Sequence, residues 1–137
     1  MVFVDTGAWI ALADRSDQYH EEAKRIYARL KQDHIRLITS DYIVDETVTR
    51  LRYDSSHQHA VRFLDLIARA EEIGVLQRVI VSPDLFEAAV ALFRQYDTAT
   101  LSFTDCTSFA ICDRFQISGS FAFDQHFHMR GITLCLP

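Results

Sequence analysis

Apolar residues along this chain fall into short unbroken runs, separated by longer stretches in which they recur at helical spacing. Val2, Phe3 and Val4 read as a buried strand, and after Thr6 and Gly7 break the run, Ala8, Trp9, Ile10 and Leu12 take up helical spacing. Asp17 is placed to cap a helix carrying Tyr19, Ala23, Ile26, Tyr27 and Leu30 on one face. Arg36 to Thr39 is a second strand, and Ser40 or Asp41 then caps a helix whose Ile43, Val44, Thr47, Val48 and Leu51 face inward. His57 to Ile73 is a further helix with Val61, Leu64, Ile67 and Ala68 as its stripe, ended by Gly74. Val75 to Val81 reads as the third strand. Ser82-Pro83 starts a helix that runs to about Tyr96, because Pro at the first helical position gives up no bond it could have made. Thr104-Asp105 opens another helix, bearing Phe109, Ala110, Ile111 and Cys112, with Ser102 as a candidate cap. Ser120 to Phe123 and Ile132 to Leu136 complete five strands.

Strands alternating with helices predict an α/β domain, a three-layer α/β/α sandwich around a mainly parallel sheet. The 137 residues match one domain, residues 1–137, large enough for a core without disulfides or structural metal. Only four Gly and two Pro are present, and no repeat or linker interrupts the pattern. No apolar run reaches membrane-spanning length, and the first residues lack the basic segment of a signal peptide. Cys106 and Cys112 lie on different faces of one helix, so a bond between them is not expected; free thiols point to the cytoplasm.

Charge narrows the functional classes. The formal net charge of −5 provides no overall basic field to draw in nucleic acid, which argues against a simple binding module. An enzyme in which metal ions supply positive charge locally is not excluded by it. Ligands bind open parallel sheets at the carboxyl ends of the strands, and two strands here run straight into an acid: Val4 into Asp5, and "SFAF" into Asp124. Asp105, at the start of the preceding helix, belongs near the same edge. Glu46, in the first turns of the helix after the second strand, sits beside Val44 and Val48 on an inward-looking stretch. Each acid alone has an ordinary role: Asp5 or Asp105 as a cap, Glu46 as a solvated helix residue, Asp124 as a turn residue. Together on one edge they would repel unless neutralised. Hard oxygen donors of this kind suit Mg²⁺ or Mn²⁺.

"VDTGAW", "SDYIVDETVT", "SFTDCTSFAI" and "FAFDQHFHMRGI" resemble, in order and spacing, the four acidic motifs of the PIN domain, and the whole chain is similar to the small VapC-type ribonuclease toxins. The resemblance implies Asp5, Glu46, Asp105 and Asp124 as catalytic and metal-binding residues. Thr6 and Thr104 would be supporting groups that orient a carboxylate or a water. Gly7 stands where relatives often carry Ser, and Ala122 replaces a frequent hydroxyl residue. The implied activity is Mg²⁺- or Mn²⁺-dependent endoribonuclease cleavage of RNA by an activated water, with no nucleophilic side chain. A cognate antitoxin and a homodimer are the implied partners, and the stretches Tyr19 to Leu30 and Tyr42 to Leu51 offer apolar groups for association. Arg50 and Arg52 are candidates for phosphate contact, although a solvated helix face explains each.

Other readings explain less. A phosphoacceptor receiver domain lacks its late lysine, since only Lys24 and Lys31 occur, and a haloacid-dehalogenase-type phosphatase would need Asp at position 7. Zinc binding by Cys106, Cys112, His126 and His128 lacks a familiar spacing, and surface histidines with core cysteines account for them. A histidine-based ribonuclease leaves the four acids unexplained. The alternative from another class is a catalytically silent PIN-like module that binds RNA or protein. Asp65 and Asp113 are expected to be solvated or structural.

Overall fold

A computed structural model describes residues 1–135 of the chain. The elements in order are β1 (Val2–Val4), α1 (Thr6–Ala13), α2 (His20–Gln32), β2 (Leu37–Ser40), α3 (Asp41–Asp54), α4 (His57–Glu72), β3 (Leu76–Val79), α5 (Pro83–Gln95), α6 (Phe103–Phe115), β4 (Gly119–Phe121), a 3₁₀ helix (Gln125–Arg130) and β5 (Thr133–Leu134). The sheet is parallel throughout, in the order β3-β2-β1-β4-β5. From β1 the chain winds outward through β2 to β3, then crosses back to β4 on the other side. Right-handed crossovers put the outward helices on one face and the returning helices on the other. The result is a three-layer α/β/α sandwich, as the alternating pattern predicts.

β1 and β2 are buried along their whole length, which explains why β1 reads as an unbroken apolar run. Thr39 and Ser40 are the polar residues of β2, both fully buried; Thr39 donates its hydroxyl to the Val4 carbonyl (3.0 Å) and accepts the Trp9 indole N–H (3.3 Å). That chain of bonds ties α1 to the two central strands. Trp9 also meets Phe63 edge-on at 5.7 Å, so α1 and α4 share one part of the core. Phe127 packs between Phe3 and Phe109, with ring centroids 6.1 and 5.4 Å away respectively.

Most caps behave as expected. Ser40, Ser56 and Ser82 each accept a backbone N–H of the first turn, and Pro83 occupies the first position of α5. Asp17 does not cap α2 directly: Tyr19 holds that position, and Asp17 instead accepts the Tyr19 N–H (2.8 Å), forming a turn before the helix. The predicted stripe of α4 is corrected. Ile67 is buried as expected, but Ala60 and Phe63 are buried with it, whereas Val61 and Leu64 are 39% and 42% exposed and Ala68 is also exposed. Two helical stripes of similar hydrophobicity compete on that helix, and the ring of Phe63 wins the place against Trp9. Strand β3 is shorter than expected, because the Val81 N–H leaves the sheet to donate to Asp41 (3.0 Å). Leu136, expected at the end of β5, lies outside the described residues.

Candidate metal centre

The site gathers where the winding of the sheet reverses. β1 and β4 are neighbours with Val4 opposite Phe121, and the Asp5 N–H continues the ladder by donating to the Phe121 carbonyl (3.0 Å). Asp5 therefore leaves the carboxyl end of β1 beside the segment that carries Asp124 from β4. This is the crevice in which doubly wound sheets bind their ligands.

Asp5 occupies the N-cap position of α1, yet its carboxylate makes no capping hydrogen bond. It is a buried acid, 7% exposed, and no arginine or lysine pairs with it. Its pKa is pushed up to about 7, first by burial and then by the charge of Asp105, with Glu46 and Asp124 adding to the shift; the Thr6 amide works in the opposite direction. Glu46 is half-buried on α3 and its pKa is also raised, mainly by burial and further by Asp105, while Arg50 at 3.8 Å opposes the shift. Arg50 is thus engaged with Glu46.

Asp105 serves two ends at once. Its amide donates to the Ser102 hydroxyl (3.0 Å) and its Oδ2 accepts the Ser102 N–H (3.0 Å), a reciprocal capping box that fixes the start of α6. This leaves Oδ1 outside the cap. Burial raises the Asp105 pKa and Asp124 adds to the rise, against the two bonds from Ser102. Asp124 caps the 3₁₀ helix: its Oδ1 accepts the His126 N–H (2.9 Å). The His126 ring turns back so that Nδ1 lies 2.9 Å from the same oxygen, without the alignment of a hydrogen bond.

Ligand atoms of Asp105, Asp124 and His126 all lie within 4.8 Å of one another, a spacing that suits a single divalent ion. His126 was expected at the surface. It joins the cluster because the 3₁₀ turn after Asp124 brings a residue two positions on back over the acid. Aspartate followed at that distance by histidine is the only signal of this in the sequence, and it is a weak one. His128 is exposed, and Cys106 and Cys112 are buried as free thiols within α6, so the zinc alternative has no geometry behind it.

Thr6 supplies a further sign of an incomplete site. Its hydroxyl is buried without a hydrogen-bond partner, although it lies close enough to favour the ionised form of Glu46. Buried polar atoms are nearly always satisfied. An orphaned hydroxyl, a buried carboxylate without a cation and a cluster of two carboxylates with one imidazole together fit a hydrated divalent ion such as Mg²⁺ or Mn²⁺. Thr104 begins the same turn as Asp105, where its carbonyl accepts the hydroxyls of Thr107 (2.6 Å) and Ser108 (3.2 Å). Asp113 is structural, pairing with Arg130, which also donates to the Tyr96 hydroxyl (3.1 Å). Asp65 is exposed.

A groove of about 750 Å³ lies apart from the acids, lined by Trp9, Leu12, Tyr27, Phe63 and Leu66 and edged by Arg15 and Arg62. Of the stretches expected to offer spare apolar groups, Ile26, Leu30, Ile43, Val44 and Leu51 are instead consumed by the core. Exposed apolar groups lie on α4 and α5, among them Leu66 at 52% and Phe93 at 50%. No helix among the described residues is long and apolar enough to cross a membrane.

The PIN domain family model matches residues 2–130. The 23S rRNA-specific endonuclease VapC20 of Mycobacterium tuberculosis, from strains CDC 1551 / Oshkosh and H37Rv, is 34% identical over 138 aligned positions, covering 100% of this chain and 99% of the relative. The crystal structure of M. tuberculosis VapC20, a sarcin–ricin loop cleaving toxin, superposes with a TM-score of 0.88 at 32% identity over the full length of both chains. The chain belongs to the PIN-domain family and, within it, to the VapC20-like toxins.

Proposed function

We propose that this protein is a Mg²⁺- or Mn²⁺-dependent endoribonuclease, the toxin of a toxin–antitoxin pair. The observation that carries the reading is the burial of Asp5 among Asp105, Glu46 and Asp124 with no protein cation to offset it. Asp105, Asp124 and His126, whose ligand atoms lie within 4.8 Å of one another, would hold the ion, with Asp5, whose carboxylate feels the charges of Asp105 and Asp124, as the further carboxylate toward it. When bound, a divalent cation supplies Lewis-acid polarisation of the phosphate and eases deprotonation of water. Glu46, whose pKa is raised by burial and by Asp105, would orient the attacking water and take its proton. The Thr6 hydroxyl, beside Glu46, would help hold that water, and Thr104 would support the turn that carries Asp105. The water oxygen bonds to phosphorus, the P–O3′ bond breaks, and the departing 3′ oxygen gains a proton.

A silent binding module would carry the electrostatic cost of this cluster without using it. The likeness to VapC20 makes the sarcin–ricin loop of 23S rRNA the first substrate to try. The apolar groove with its two arginines suits an antitoxin segment, and a basic side chain from such a segment would neutralise the acids and displace the ion. The reading also includes a homodimer.

Product ends provide the test. Incubated with the sarcin–ricin hairpin and Mn²⁺, the protein should leave 5′-phosphate and 3′-hydroxyl ends. EDTA should stop the reaction, and Ca²⁺ should support it poorly because its looser coordination positions water less well. Asp5→Asn and Asp105→Asn should lose at least about 100-fold in rate, the scale of a lost catalytic group, while Asp65→Asn keeps full activity. Cyclic phosphates that persist in EDTA would mean that the acids have no part in the chemistry.

A further inference from the structure

Beside the acids lies a feature that the hydrolytic chemistry does not use. Tyr19 and Phe123 stack face to face, with ring centroids 4.4 Å apart and planes only 6° from parallel. Phe123 immediately precedes Asp124, and its ring is braced edge-on by the buried Phe121 at 6.2 Å. Tyr19 comes from the turn before α2, where its N–H is anchored on Asp17 (2.8 Å). Although packed on Phe123, Tyr19 remains 39% exposed. The Tyr19 ring, held on Phe123 yet 39% exposed, presents accessible aromatic surface, and Phe123 is the residue immediately before Asp124 of the metal centre.

We propose that the Tyr19–Phe123 stack is a platform for a nucleobase flanking the scissile phosphate, with Tyr19 as a substrate-binding residue. The ligand class, single-stranded or looped-out RNA, rests on the ribonuclease reading above. Such RNA is held by stacking unpaired bases on aromatic faces. The need is sharper here than in most RNA-binding proteins. A chain of net charge −5 offers little general attraction for the phosphate backbone, so base stacking must supply affinity that a basic groove supplies elsewhere. Stacking also tolerates any base and locks the neighbouring phosphate in register with the acids.

The test compares Tyr19→Leu, which keeps an apolar group against Phe123 but removes the aromatic face, with Tyr19→Trp, which keeps the face. Binding of a short oligoadenylate, and of an abasic ribose-phosphate chain of equal length, is measured in Ca²⁺; cleavage of the sarcin–ricin hairpin is measured separately in Mn²⁺. Tyr19→Leu should weaken oligoadenylate binding roughly 5- to 100-fold, Tyr19→Trp should retain it, and neither should alter binding of the abasic chain. In cleavage, Tyr19→Leu should raise KM more than it lowers kcat. If Tyr19→Leu binds oligoadenylate as tightly as the parent, or loses equally on the abasic chain, the platform is refuted and the pair is only a clasp. Tyr19-dependent binding with no cleavage by the parent would refute the nuclease reading and leave the platform standing.

Discussion

Ionising Asp5 inside the fold places a charge away from water and next to other carboxylates, and the consequence for stability has a definite sign. Its pKa of about 7 in the folded chain compares with 3.8 for the free group. Between those values the folded state holds a proton that the unfolded state has lost, so stability falls as pH rises from about 4 through about 7. Asp5→Asn removes that penalty. It should melt higher than the parent at pH above 7, by on the order of 2–4 kcal/mol in stability, and the advantage should vanish as pH approaches 4. Mn²⁺ should raise the parent's melting temperature and leave the variant's unchanged. Protons and metal compete for the same carboxylate, so calorimetry should show Mn²⁺ binding tighten as pH rises through 7. A variant no more stable than the parent at high pH would mean that Asp5 is not held in a repulsive cluster.

At the scale of elements, β1 was legible because burial on both faces leaves nothing but apolar residues there, and the serine caps because few residue types accept a first-turn N–H well. Strand ends running into acids located Asp5 and Asp124. What could not be read was the choice between equivalent faces. On α4 the expected stripe Val61/Leu64/Ile67/Ala68 and the buried one Ala60/Phe63/Ile67 share Ile67 and otherwise differ by one position, and contact with Trp9 on a distant helix decides between them. His126 was missed for the same kind of reason: its place depends on a tight 3₁₀ turn and not on periodicity. The corrected face predicts unequal losses. Phe63→Ala should cost about 3–5 kcal/mol in a denaturant melt, whereas Leu64→Ala should stay within about 0.5 kcal/mol. The departure at Gly7 is tractable too. A Cβ there meets nothing within 4 Å, so Gly7→Ser should fold normally and gain roughly 0.5 kcal/mol of helix stability, read by thermal melting.

Across the whole molecule, the parallel order was readable as a class, but the central position of β1 was not, because neighbouring strands leave no mark of who pairs with whom. Association is a question for this scale. With Leu66 and Phe93 exposed on α4 and α5, sedimentation should give a dimer at micromolar concentration, and Phe93→Glu should shift it toward monomer if α5 forms the contact. Central placement of β1 also has a bearing on time. Val2–Val4 leaves the ribosome long before Gly119–Phe121 is synthesised, yet β1 completes its pairing only with β4, and Asp5 meets Asp124 only after that. Such distant pairing is slow and comes late in folding. A nascent chain can build most of its core and still lack one wall of the cleft. In this member of the PIN-domain family, the cleft that gathers the acids is therefore complete only once β4 and the turn that follows it have joined the sheet.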